Sequence, residues 1–475
     1  MKNIVVIGGG ITGLAAAWRL QNSFQKSHIP VQILLLESSP KWGGSLKSAT
    51  REGFLLEMGP DCFISDKPRG LELCRELGLE NEVIGTRADK RRSFILRGGK
   101  FYPVPEGFYL MGPSRTRPFL ESGLLSWRGK FRAMLEPLIP SRPVADESLS
   151  SFVRRRFGQE MLDWMAQPLV AGIYGANPEH LSLRATFPRF LEMERTYGSV
   201  VLGLKKEKRA TQAASGARYS LFVALRRGMQ TLTDTLANRL GSSVLRPGIR
   251  VKEVRSANGS WQVVKANGEI LTADALCLAL SSSAAADLLR GVDPELAAEL
   301  AAIDYAPAAT LNLAFREIDI KSPLDGVGFV VPQKENRLVL GCTFAQNKFD
   351  GRAPKGFHLL RAFIGGTESA KWMSASDEAV TNKVLSELKD WLKIAGRPLF
   401  WQMERYERAL PQYTIGHVER ILRIEEKLFQ HKGLALAGNW QYGVGIPDCI
   451  ASGERAADLL LQQIESQNLS ALKTS

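Results

Sequence analysis

At 475 residues the chain is longer than one ordinary hydrophobic core organises, so two or three domains are expected, and an apolar share of 44% with 23% charged residues describes a globular, soluble protein. The net charge of +13 is concentrated: Arg87–Arg132 holds eleven Lys/Arg against three acids and Arg195–Met229 eight against one, which suits a polyanion, anionic headgroups, a carboxylate-bearing substrate or simply a solvated basic face. No apolar run reaches spanning length, the strand pattern from Asn3 leaves no room for a secretory leader, and the five cysteines and five histidines are scattered without ligand spacing, which excludes a disulfide framework and gives no metal site.

The first element, Asn3–Ile7 (NIVVI), reads as a short buried strand. Gly8, Gly9, Gly10, Ile11, Thr12 and Gly13 follow, then a helical pattern through Leu14, Ala17, Leu20 and Phe24, and a second buried strand, Val31–Leu36, ending in Glu37. This is a βαβ dinucleotide fingerprint. Gly8 permits a tight turn, Gly10 lets the backbone approach a pyrophosphate, and Gly13 allows the helix to pack on the sheet. The helix start at Ile11 and Thr12 offers free amides to phosphate. The Glu37 carboxylate can accept both ribose hydroxyls and repels a 2′-phosphate.

Beyond Glu37 the glycine pair Gly43-Gly44, followed by Ser45, lets the chain run close to the same pyrophosphate, as is typical of flavoproteins. The stretch resembles a flavoprotein element ending in Arg-x-Gly-Gly, with Lys41 in place of its arginine, so the charge is kept and the bidentate geometry lost. Gly59, Pro60 and Asp61 close the stretch GFLLEMGPD. Arg92–Leu96 and Lys100–Val104 around Gly98-Gly99 read as a hairpin, and Asp146–Val170 as one long helix with Leu149, Phe152, Val153, Leu162 and Met165 on one face. Lys205–Ser220 reads as a mobile basic loop that could meet an anionic membrane. Gly248–Val254 and Trp261–Val264 read as strands with a turn at Asn258-Gly259. A last strand, Leu434–Leu436, leads through Gly438-Asn439-Trp440 and Gly443-Val444-Gly445 into a helix opened by Ile446, Pro447 and Asp448.

The stretches GGGITGLAAAW, GPDCF, LVAGIYGANPEHLSL and GVGIPDCIASG resemble the bacterial-type protoporphyrinogen and coproporphyrinogen oxidases of the amine oxidase-like FAD superfamily, over nearly the whole chain. The resemblance implies an α/β fold: a Rossmann-like FAD-binding domain from residues 1–85, 230–300 and 401–465, beside an α+β substrate domain from 86–229 and 301–400. The latter would carry an antiparallel sheet and a helical membrane-facing region at about 110–200. FAD would be held by Gly8, Gly10, Ile11, Thr12, Gly13, Glu37, Gly43, Gly44, Ser45, Gly59, Pro60, Asp61, Val251 (through its backbone, at the adenine), Tyr406, Gly445, Ile446 and Pro447. The start of the last helix would face the pyrimidine end of the flavin and stabilise the charge gained on reduction.

Lys67 and Arg92 match basic positions that meet substrate propionates, although Lys67 also fits a solvated helix start. Val327, Gly328 and Val330 match a strand that clamps a pyrrole ring, with Val327 where some relatives carry Phe. The implied reaction is hydride transfer from a porphyrinogen meso carbon to flavin N5, with dioxygen as acceptor, repeated to remove six electrons. No residue is assigned as a catalytic base. The expected partners are a tetrapyrrole and dioxygen, with no nucleic acid; peripheral membrane contact and a homodimer stay open. The expected location is the cytoplasm, with contact at the inner membrane face left open. Protoporphyrinogen IX to protoporphyrin IX is the first expectation and coproporphyrinogen III to coproporphyrin III its alternative. An amine oxidase or carotenoid desaturase on the same scaffold is a further competitor, and a basic nucleic-acid or membrane binder is the non-enzymatic one.

Overall fold

The computed structural model describes residues 2–27, 30–142, 144–213, 221–257, 259–365 and 369–474. Strands Lys2–Ile7 and Val31–Leu36 pair in parallel (Ile4 opposite Ile33), joined by helix Ile11–Ser27. A parallel pair needs such a crossover, and strands covered on both faces are continuous apolar runs. Ala275–Ala279 takes the other side of Lys2–Ile7, and Leu434–Ala437 and Leu245–Arg246 complete five parallel strands from three distant stretches of chain. The last helix, Ile446–Thr474, lies on the first. A three-stranded antiparallel flap, Val251–Ala257, Ser260–Lys265 and Ile270–Ala273, packs buried Trp261 beside it. The flap matches the expected strands; Asn258 of its turn lies outside the described residues.

A second sheet has seven strands in the order 400–411, 305–316, 357–364, 339–344, 328–330, 93–97, 100–103. It is antiparallel except where Gly328–Val330 runs parallel to Ser93–Arg97, so the expected antiparallel sheet is in fact mixed. Arg97 and Lys100 face each other across the glycine turn of the expected hairpin. One face is sealed by Val380, Val384, Leu388 and Trp391 of helix Asp377–Leu392, which pack on Leu311, Leu313, Phe315 and Leu360. Strand Phe400–Pro411, assigned by sequence mainly to the cofactor side, is hydrogen-bonded into this sheet.

The remaining lobe is helical. The expected single helix over Asp146–Val170 is two stretches instead: Leu149–Phe157, and then Gln159–Met161, a π-helical turn, Leu162–Ala166, and Gln167–Tyr174 in unbroken succession. The causes are local. Ser148 caps the start by accepting from Ser151 N–H, Asp146 is used instead to accept from the Ser182 hydroxyl at 2.7 Å, and Gly158 (φ 95°) ends the first piece. The expected loop at Lys205–Ser220 is corrected too: helix Val200–Ala213 carries its first part, and residues 214–220 lie outside the described residues. Among the described residues no helix is long and apolar enough to cross a membrane.

Candidate active site

From the central strand Lys2–Ile7 the sheet extends both ways, so its carboxyl end opens a crevice. Gly8 and Gly13 are there for contact. A Cβ at Gly8 would stand 2.2 Å from the Ala279 carbonyl oxygen, and one at Gly13 1.9 Å from that of Gly8. At Gly10 a Cβ would meet nothing within 4 Å. The first two glycines let strand, turn and helix touch; the third leaves space beside the amides that open the helix, where an anion is favoured. Gly43 N–H donates to the Gly9 carbonyl (2.9 Å), and the Gly44 position abuts Gly10, so the second glycine pair lines the same space. Glu37 accepts from Gly9 N–H and Ser39 N–H, each at 2.7 Å, which fixes its carboxylate at the crevice edge. Ile249 N–H donates to the Glu37 carbonyl (2.8 Å), and this brings the strand that begins at Val251 alongside.

The far wall is the stretch 57–61, held from the seven-stranded sheet. Thr310 donates to the Met58 carbonyl (2.6 Å), Asn312 to that of Glu57 (3.1 Å), and Arg361 to those of Glu57 and Gly59. Lys348 grips Asp61 at 2.8 Å. Burial alone would raise the Asp61 pKa, but Lys348 and Arg361 outweigh it and hold the carboxyl well below its usual range. Asp61 therefore anchors the wall. A Cβ at Gly59 would lie 1.7 Å from the Ser45 carbonyl oxygen and 3.4 Å from Tyr406 Oη, so these three positions converge. The Tyr406 hydroxyl is buried and, among the described residues, has no hydrogen-bond partner; burial and then Glu404 push its pKa up. A buried orphan hydroxyl beside an open glycine-lined groove is a site awaiting a polar ligand atom. These residues fit a dinucleotide with a polar ring system.

The third wall is the start of the last helix, at Gly445, Ile446 and Pro447. A Cβ at Gly453 would come within 2.1 Å of the Thr12 carbonyl oxygen, so the first and last helices begin side by side and open on one crevice. Tyr413 steadies the approach: its hydroxyl donates to the Asn439 carbonyl (2.5 Å) and accepts from Gly443 N–H (2.8 Å), and its ring stacks on His417 at 4.0 Å.

On the side away from the parallel sheet, Val327 N–H donates to the Arg92 carbonyl (2.8 Å), Gly328 approaches the Cys342 backbone closely (φ 146°), and half-buried Val330 packs with the cluster that holds Val170 and Tyr174. Arg92, 72% exposed, pairs with Asp325 at 3.2 Å. Lys67 is not free at the cleft; Asp448 binds it with both carboxylate oxygens. Sequence reasoning missed Arg361, Lys348 and Tyr413, and read Asp448 only as part of the opening of the last helix. Only the first left a trace, a charged residue in the apolar strand FHLLRAFI, whose inward position implies a buried partner.

The chain matches the family model "Flavin containing amine oxidoreductase" over residues 11–461. It is 32% identical to the coproporphyrinogen III oxidase of Bacillus subtilis, over 96% of this chain and 97% of the relative. It is 30% identical to the human protoporphyrinogen oxidase, over 96% and 98%. The crystal structure of a candidate protoporphyrinogen oxidase from Exiguobacterium sp. 255-15 superposes with a TM-score of 0.85 at 29% identity, covering 98% of this chain and 99% of the other.

Proposed function

The chain belongs to the flavin-containing amine oxidoreductase family, and from that premise we propose that it is an FAD-dependent, oxygen-using oxidase that removes six electrons from a porphyrinogen. Protoporphyrinogen IX is the first substrate to test. Coproporphyrinogen III is the second, favoured by the likeness to the Bacillus subtilis enzyme. The observation that carries the reading is the convergence of two helix starts, the open face at Gly10 and the orphan Tyr406 hydroxyl on one crevice.

When bound, FAD supplies the hydride acceptor and the site at which dioxygen takes the electrons back. The chain's own residues bind and orient. The amides at Gly10, Ile11, Thr12 and Gly44 would hold the diphosphate, Glu37 the ribose, and the backbone at Val251 the adenine. Ser45, Gly59, Pro60 and Tyr406 would hold the ring, with Gly445, Ile446 and Pro447 at its pyrimidine end. Val327, Gly328 and Val330 form the apolar wall for the macrocycle, and Arg92 meets a carboxylate at the mouth. We assign cofactor binding to residues 1–85, 230–300 and 401–465 and substrate binding to 86–229 and 301–400, with strand Phe400–Pro411 as the seam.

We further propose cytoplasmic location with peripheral contact at the inner membrane face. Helix Trp127–Met134 supports it: Trp127 is 74% and Phe131 67% exposed one turn apart, beside Arg128 and near exposed Leu138. Anaerobic mixing of the purified yellow protein with each porphyrinogen is the test. Loss of the oxidised-flavin absorbance is expected, with kcat/KM ranking the two substrates; an unchanged spectrum with both rejects the function.

A further inference from the structure

Lys67, a candidate partner for a substrate carboxylate, is already engaged. Its ammonium group sits 2.6 and 2.7 Å from the two oxygens of Asp448, 381 residues away. Asp448 is the third residue of the last helix, and its Oδ2 also accepts from Gly445 N–H at 3.2 Å, closing the first turn as the acidic half of a capping box. The carboxylate is largely sheltered, with 16% of its side-chain surface exposed against 47% for Lys67. Lys67 itself precedes helix Pro68–Glu76, where a Cβ at Gly70 would touch Pro447 at 3.2 Å. The pair therefore ties two helix starts together, and it puts a negative and a positive charge at the crevice where the last helix begins.

We propose that Lys67 sets the reduction potential of the bound flavin by neutralising Asp448. The inference rests on the FAD reading above. Reduction of the ring by two electrons and one proton leaves it one negative charge richer. The positive end of the last helix favours that charge, and a bare carboxylate in the same helical turn opposes it. At ion-pair distance, Lys67 cancels the carboxylate's field where the ring would feel it. Asp448 is largely sheltered but Lys67 is nearly half exposed, so water screens the pair and the effect is moderate. A substrate propionate reaching Lys67 would compete with Asp448 for the same ammonium group.

The test compares midpoint potentials of the FAD-loaded protein, measured by slow reduction against a reference dye, without substrate. Lys67→Met is expected to lower the reduced-to-oxidised ratio at a fixed dye potential about tenfold, which is about 30 mV for a two-electron couple. Asp448→Asn is expected to raise the ratio by a similar factor, the double variant to return to the parent value, and Lys67→Arg to keep it. A potential in Lys67→Met equal to or above the parent's overturns the proposal, whatever happens to KM for porphyrinogen. Should Lys67→Met lose its flavin, Asp448→Asn decides alone: an unchanged or lowered potential overturns the proposal. A parent protein that takes up no FAD sinks the functional reading instead.

Discussion

The cofactor crevice and the helical lobe solve the same packing problem with different chemistry. Around the crevice, segments meet through bare backbone: Gly8 on Ala279, Gly13 on Gly8, Gly59 on Ser45 and Gly453 on Thr12, each closer than any side chain permits. In the lobe, segments meet through buried charge. Arg156 and Glu136, both fully buried, pair with each other; Arg156 also reaches Glu194, which binds Arg155, which in turn binds Glu147 at 2.5 Å. Glu136 further accepts from Val200 N–H at 2.9 Å, tying in the helix that starts there. Close backbone contact leaves amides free for a ligand, whereas the ionic network turns nearly all of its donors and acceptors inward, with Arg155 Nε the exception. The first is a binding surface, the second a support.

That contrast predicts opposite signatures. The largest effect belongs to the lobe: Arg156→Met leaves Glu136 buried without its cation and is expected to cost about 3–5 kcal/mol. Thermal melting should shift down markedly while titrated FAD affinity stays near the parent value. An equal loss of FAD affinity would erase the distinction between the regions.

Next comes pH. Burial pushes the His417 imidazole down to about 4. The folded state therefore keeps it neutral while the unfolded chain takes a proton near the ordinary value of about 6.5. The unfolded state binds more protons in that window, so stability is full above it and falls as pH drops from about 6.5 towards 4, by about 3 kcal/mol at most. Denaturant unfolding across this range should show a slope that His417→Phe flattens.

On the crevice side, Gly13→Ala forces a methyl against the Gly8 carbonyl and is expected to cost about 1–3 kcal/mol, read as weaker FAD binding by fluorescence titration. The smallest effect is Tyr406→Phe. It removes the hydrogen bond proposed between its hydroxyl and the ring, about 1 kcal/mol, and should weaken FAD binding by less than about tenfold with a small shift of the flavin absorbance bands. No change in either would remove Tyr406 from the site.

The two regions also differed in how far the sequence could be read. Local rules made the crevice legible, because a strand, a glycine turn, a helix and an acid lie within residues 2–37, and each residue type has a steric or electrostatic reason that needs no distant partner. The hairpin at Ser93–Pro103 was legible for the same reason. The helix expected over Asp146–Val170 was not. Its periodicity is real, and Leu149, Phe152, Val153, Leu162 and Met165 are all buried, but Gly158 and the diversion of Asp146 to Ser182 break it.

By itself, the sequence pointed to two glycine-rich helix starts, one at each end of the chain, as the holders of a dinucleotide, since a helix start carries its partial positive charge wherever it lies. Only the tertiary structure decided which charges reach that site. It committed Lys67 to Asp448, Lys348 to Asp61 and Arg361 to the Gly59 backbone, and it left Arg92 largely in water. Ion pairs between residues hundreds of positions apart depend on how sheets and helices stack, and no local pattern encodes that.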